Sequence, residues 1–250
     1  MNEKLKYVIT EQNYDAYTKE DQLVWSTLYS KLYVYFLYKD AIVTEFYDGL
    51  LKLKIGSDRI PKFDEVNKIL AQETGFEIVP VNGIVDDDIF FAFLKNKQFP
   101  VTTWIRKPDQ LNYIEQPDMF HDLFGHVPFL VNKKYCDFLI RLGRHAEAIF
   151  NSNDKERQYK MSRLYWYTIE FGLVKDKIGD ILIYGSGIIS SFGETNKVYD
   201  LSRSKYSDHE ICEFNLNILN RRFVKNEFQE FYAYISDSLD SLMDIPVESI

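Results

Sequence analysis

The chain has 250 residues, room for one large domain, and its 46% apolar and 27% charged composition is that of an ordinary globular protein. A formal net charge of -8, with lysines and arginines scattered along the chain, argues against a nucleic-acid partner, which would need a basic surface. The two cysteines, Cys136 and Cys212, form no CxxC and signal neither a zinc site nor a disulfide framework. No apolar stretch resembles a secretory leader or a membrane span, so the expectation is a cytoplasmic protein with no membrane partner.

After a polar lead-in over residues 1–17, Trp25, Leu28, Leu32 and Phe36 recur at helical spacing and predict a helix over 21–38 with one buried stripe. Further helices are expected over 41–53, closed by Gly56, and over 64–74, between Pro61 and Gly75. Residues 76–81 read as a strand. The acidic run at 86–88 offers an N-cap for a helix carrying Ile89, Phe90, Phe91, Phe93 and Leu94. Those rings cannot all share one narrow face, so at least one is expected to line a pocket or groove. A strand over 99–105 ends at Arg106, and a polar loop leads to Pro117 and Asp118, residue types suited to a helix start.

Gly125, suited to a left-handed C-terminal position, and Pro128 are expected to end that helix. Long helical patterns follow over 133–150 and 157–173, then strand-like residues and a glycine-rich turn over 180–187. Residues 212–223 alternate partly as a strand, and 227–243 resemble a final helix. With no repeat and no linker, the expectation is one α+β domain over residues 1–250, mainly α with short strands.

Two of the four histidines, His121 and His126, share this 117–128 stretch. On a continuous α-helix, residues five apart point about 140° away from each other. A helix that stops at Gly125 would let His126 swing back, so that both imidazoles share one metal. The alternative is a pair of histidines capping carbonyls. Glu170 is the other anomaly: its helical neighbours are Trp166, Tyr167, Leu173 and Val174, an apolar face on which a carboxylate is costly without an arginine or a metal. Two His and one Glu form the set that holds non-haem Fe(II) with open coordination positions, although catalytic zinc or a structural site fits the same residue types. The HExxH zinc-protease signature is absent. His145 and His209 read as solvent-facing or hydrogen-bonded.

Three blocks carry a resemblance. Pro117-Asp-Met-Phe-His121-Asp-Leu-Phe-Gly-His126-Val-Pro128, Tyr165-Trp-Tyr-Thr-Ile-Glu170-Phe-Gly-Leu173 and Tyr184-Gly-Ser-Gly-Ile-Ile-Ser-Ser-Phe-Gly-Glu194 are similar, in collinear order, to signature blocks of the pterin-dependent aromatic amino acid hydroxylases. The likeness is greatest to the family's bacterial members that act on phenylalanine, and it runs from about residue 21 to 242.

That resemblance implies a monooxygenase that hydroxylates L-phenylalanine to L-tyrosine with O2, Fe(II) and a tetrahydropterin, tetrahydrobiopterin or a relative. It implies His121, His126 and Glu170 as iron ligands. Arg106 matches the arginine that holds the substrate carboxylate, and Asp118 the aspartate bracing it. Pro117 and Trp166 match walls of the ring pocket, and Gly187 and Ser190 match residues beside the amino-acid group. On the pterin side, Phe90 matches the stacking ring, Gly83, Val85 and Asp87 the pterin loop, and Tyr165 and Asp122 residues near the cofactor. Asp122 is one methylene shorter than the Glu of animal members, and Asp87 replaces a common Ser.

Trp166 argues against tryptophan as substrate, and an apolar Ile235, where tyrosine hydroxylases place a polar Asp, favours phenylalanine over tyrosine. A hydroxylase of tryptophan or tyrosine remains the alternative within the family. Outside it stand a zinc hydrolase and an aromatic amino acid binding protein. The comparison also implies no regulatory domain, no tetramerisation tail, and a monomer.

Overall fold

The computed structural model describes residues 8–37, 40–112, 114, 116–223 and 229–250. Helix exceeds strand, 56% to 12%, in agreement with the mainly α expectation. The first helix, α1 (Lys19–Leu37), starts at a reciprocal cap in which Thr18 N–H donates to Asp21 and Asp21 N–H donates to the Thr18 hydroxyl. Its stripe of Trp25, Leu28 and Leu32 is fully buried, while Phe36 is only partly covered. Helices α2 (Thr44–Leu53) and α3 (Phe63–Glu73) follow, and α2 ends on Lys54 in the left-handed region, two residues before the expected Gly56.

Strands β1 (Glu77–Val81) and β2 (Gln98–Thr102) pair in parallel, with α4 (Asp87–Lys95) as the crossover between them. The long helix α5 (Lys133–Phe150) packs on α4 at Gly143, where a Cβ would come 2.4 Å from the backbone nitrogen of Lys95. A second sheet has the order β4-β3-β6-β5, from β3 (Gly172–Asp176), β4 (Ile181–Ile183), β5 (Ile211–Glu213) and β6 (Tyr232–Asp237). Helix α6 (Lys155–Tyr165) precedes it, and α7 (Ser186–Ile189) and α8 (Phe192–Ser202) lie between β4 and β5.

Four sequence expectations are corrected. The 157–173 helix ends at Glu170, and Leu173 belongs to β3, where it pairs with both Ile183 and Tyr234. Within 212–223 only the first residues are strand, followed by a 3-10 turn, Leu216–Asn220. The final helix is replaced by β6 and a 3-10 turn, Leu239–Asp244, because the Tyr-Ala-Tyr-Ile segment finds parallel partners on β3 and β5. Residues 38 and 227, at the ends of two expected helices, lie outside the described residues.

The fourth correction concerns the histidine stretch. The helix does not stop at Gly125, which is not among the residues with positive φ. It widens into a π-helix, His121–His126, and tightens into a 3-10 helix, Val127–Val131, whose first turn accommodates Pro128.

Candidate active site

A π-turn bonds residue i to i+5, so side chains five apart, splayed on an α-helix, come onto one side. This geometry unites the two histidines: Val127 N–H donates to Asp122 O, and the Nε2 atoms of His121 and His126 lie 3.1 Å apart. Glu170 closes a second π-helix, Trp166–Glu170, with Phe171 N–H bonded to Trp166 O at 3.0 Å. Its Oε1 lies 2.9 Å from His126 Nε2 and its Oε2 3.7 Å from His121 Nε2. The three side chains offer ligand atoms all within 4.8 Å of one another.

The two imidazoles are oriented differently. Ser190 Oγ donates its one proton to Ser186 O at 2.8 Å, so toward His121 Nδ1, 2.7 Å away, it accepts. Nδ1 therefore carries the hydrogen, and the Nε2 lone pair faces the cluster. His126 is held by rings, Phe99 at 4.8 Å between centroids and Tyr165 stacked at 6.3 Å. Burial pushes the His121 pKa down to about 4 against the pull of Glu170, which keeps the ring neutral near pH 7. Burial would raise Glu170, but the two histidines outweigh it and the carboxyl stays below its usual range.

The donor set fits a divalent metal. It joins two imidazoles to one carboxylate, and the buried Glu170 Oε2 has no hydrogen-bond partner among the described residues. Close approach is enforced by glycine: a Cβ on Gly187 would lie 3.1 Å from Glu170 Oε2, and one on Gly125 2.9 Å from Ser186 O.

Two acids flank His121. Asp118, fully buried, accepts from Arg106 Nε at 2.9 Å, Nη2 at 2.8 Å and N–H at 2.8 Å, and from His121 N–H at 3.0 Å. Burial would raise its pKa, yet the Arg106 fork and charge hold it below the usual carboxylate range. Among the described residues Asp122 accepts only from Thr102, at 2.7 Å from N–H and 3.0 Å from the hydroxyl, and burial pushes it up to about 7.

Above the triad opens a cavity of about 280 Å³ whose walls include the rings of Phe90, Phe99, Tyr165, Trp166, Phe171 and Phe223. Trp166 stacks on Phe223 at 4.9 Å, and Phe90 meets Tyr165 in a T-shaped contact at 4.8 Å.

The biopterin-dependent aromatic amino acid hydroxylase family matches residues 6–245. The chain belongs to this family.

Among its relatives, the phenylalanine-4-hydroxylase of Chromobacterium violaceum is 39% identical over 236 residues, covering 93% of this chain and 75% of that protein. The phenylalanine-4-hydroxylase of Ralstonia nicotianae is 38% identical over 234 residues, covering 94% and 71%. The Chromobacterium violaceum phenylalanine hydroxylase structure with bound iron(III) and oxidized 7,8-dihydrobiopterin is similar with a TM-score of 0.83 at 38% identity, covering 95% of this chain and 82% of that one. The iron- and phenylalanine-bound structure of the same enzyme gives 0.82 at 37% identity, covering 96% and 83%.

Within this hydroxylase fold, most residues singled out from the sequence converge on the cavity. Arg106, Pro117, Trp166, Gly187 and Ser190 line it beside the triad. Gly83, Val85, Asp87 and Phe90 line it from the β1–α4 loop and α4, joined by Asp122 and Tyr165. Asp118 lies beneath Arg106, outside the lining. Ile235 does not reach the cavity: it is buried on β6 beside Val174 of β3, so its apolar character serves the core.

Sequence reasoning missed Thr102, Phe171, Glu194 and Gln229, which also line the cavity. Thr102 ends a strand and Gln229 precedes one, and neither position carried a signal. Glu194 stands in the first turn of α8, where an acid is ordinary helix chemistry.

Proposed function

We propose that this hydroxylase is a phenylalanine 4-monooxygenase, converting L-phenylalanine to L-tyrosine with O2 and a tetrahydropterin at iron held by His121, His126 and Glu170. The observation that carries the reading is the two-histidine, one-carboxylate cluster at the base of a cavity lined by aromatic rings and a buried arginine. Bound Fe(II) and tetrahydropterin together supply the reducing equivalents and open coordination positions that activate O2.

The chain's own part is placement. Arg106, fixed by Asp118, presents its guanidinium edge to the substrate carboxylate. Pro117 and Trp166 confine the aromatic ring, while Gly187 and Ser190 leave room for the amino-acid group beside the metal. Phe90 offers its ring to the pterin, with Gly83, Val85 and Asp87 from the loop and Asp122 and Tyr165 from the floor. Since Ile235 lies outside the cavity, choice among aromatic substrates rests on Trp166, Phe171 and Phe223. The large exposed apolar residues, such as Leu23, Leu51 and Ile178, are scattered over separate elements, which supports a monomeric single domain. No described helix is long and apolar enough to cross a membrane.

Anaerobic reconstitution with Fe(II), followed by tetrahydropterin, L-phenylalanine and air, should yield tyrosine. A zinc hydrolase would need neither air nor pterin, and a binding protein would consume no oxygen. Glu170→Ala should lose iron and hydroxylation together, with metal affinity falling by more than about 100-fold. Iron-dependent turnover retained in that variant would overturn the triad.

A further inference from the structure

Four buried carboxylates stand in or under the walls of the cavity, and two are matched to a cation or to the metal cluster. Asp118 is neutralised by Arg106 and Glu170 belongs to the metal cluster, while Asp122 takes both Thr102 donors on Oδ2 at the end of β2. The fourth is Glu194, in the first turn of α8, 5% exposed and lining the cavity with Ser190 and Gly187. Its Oε1 accepts from Gln229 N–H at 2.7 Å and its Oε2 from the Tyr232 hydroxyl at 2.5 Å.

Both donors are neutral, and no cation bonds to Glu194 among the described residues. Lys197, one turn along the helix, donates instead to the Gln229 carbonyl at 2.5 Å. A carboxylate accepts about four hydrogen bonds, so two sites remain. Burial without a positive partner is the costly state for an anion, and burial is what raises the Glu194 pKa.

An α-amino acid brings two opposite charges on one carbon. Arg106 answers the carboxylate, and the ammonium needs a buried anion on the same cavity. We propose that Glu194 receives the α-ammonium of the substrate, so that Arg106 and Glu194 together select a zwitterion over an aromatic acid or amine. The assignment rests on the reading of the cavity as an amino-acid site. It uses the carboxylate's spare acceptor sites while Gln229 and Tyr232 keep it in place.

The test is anaerobic calorimetry on the iron-loaded protein with two probes, L-phenylalanine and 3-phenylpropanoate, which lacks the ammonium. Wild type should prefer phenylalanine by about tenfold or more, the worth of one charge-assisted hydrogen bond. Glu194→Gln should weaken phenylalanine by a similar factor and leave 3-phenylpropanoate unchanged. Tyr232→Phe removes a neutral donor to the same carboxylate and should preserve the preference. No preference in wild type overturns the proposal without any variant. Equal weakening of both probes by Glu194→Gln, or loss of the preference in Tyr232→Phe, makes Glu194 a structural peg and also overturns it. If wild type binds 3-phenylpropanoate but rejects phenylalanine, or binds neither, the amino-acid reading itself falls.

Discussion

Asp118 and Asp122 lie one turn apart on either side of His121, both buried, yet their surroundings drive them in opposite directions. On the Arg106 side, a guanidinium fork and two backbone N–H groups meet one carboxylate, and the pair stays charged in the interior. On the Thr102 side there is one backbone N–H and one hydroxyl, and desolvation wins, holding the carboxyl at about 7. Burial is common to both, so the partner decides the sign. One short helix thereby carries a fixed charge toward the proposed substrate carboxylate and an acid that is about half protonated near pH 7 toward the proposed pterin.

Breaking the charged side should cost most. Asp118→Ala strands a buried guanidinium, and the expected loss is about 3–5 kcal/mol in urea unfolding of the metal-free protein. A loss under about 1 kcal/mol would mean that Arg106 finds another partner. Asp122→Asn should cost only about 1 kcal/mol in the same assay, since an amide oxygen still accepts from Thr102 N–H and no cation is abandoned. Equal losses in the two variants would erase the contrast. The smallest effect belongs to Thr102→Val, which deletes one of two donors to Asp122 and should cost about 0.5 kcal/mol, again read from the unfolding midpoint.

Much of this site was legible because its chemistry is local in sequence. The paired histidines, the misplaced Glu170 and the crowded rings around Phe90 each violate an expectation for plain helix, and each violation has a partner in the cavity. The early helices were legible from the spacing of Trp25, Leu28 and Leu32. What failed to show depends on distant contacts. β6 is a strand because β3 and β5 flank it, a pairing that no periodicity in 227–243 announces. Ile235 looked like a substrate contact because its type suited the ring, and only the sheet register places it in the core. Glu194 hid behind an ordinary role, an acid at a helix start.

The route by which the histidines meet was also misread, and the correct one has its own consequence. Both ligand-bearing segments are helices carrying one residue more per turn than regular winding allows. The site is thus encoded in rotational phase as well as in composition. Rewinding His121–His126 as regular α-helix, with no residue gained or lost, would undo the pairing. Every ligand would remain in the chain and the segment would stay helical, but one imidazole would be turned by about 100° relative to its partners. In this fold a change of winding alone is therefore a ligand substitution in disguise.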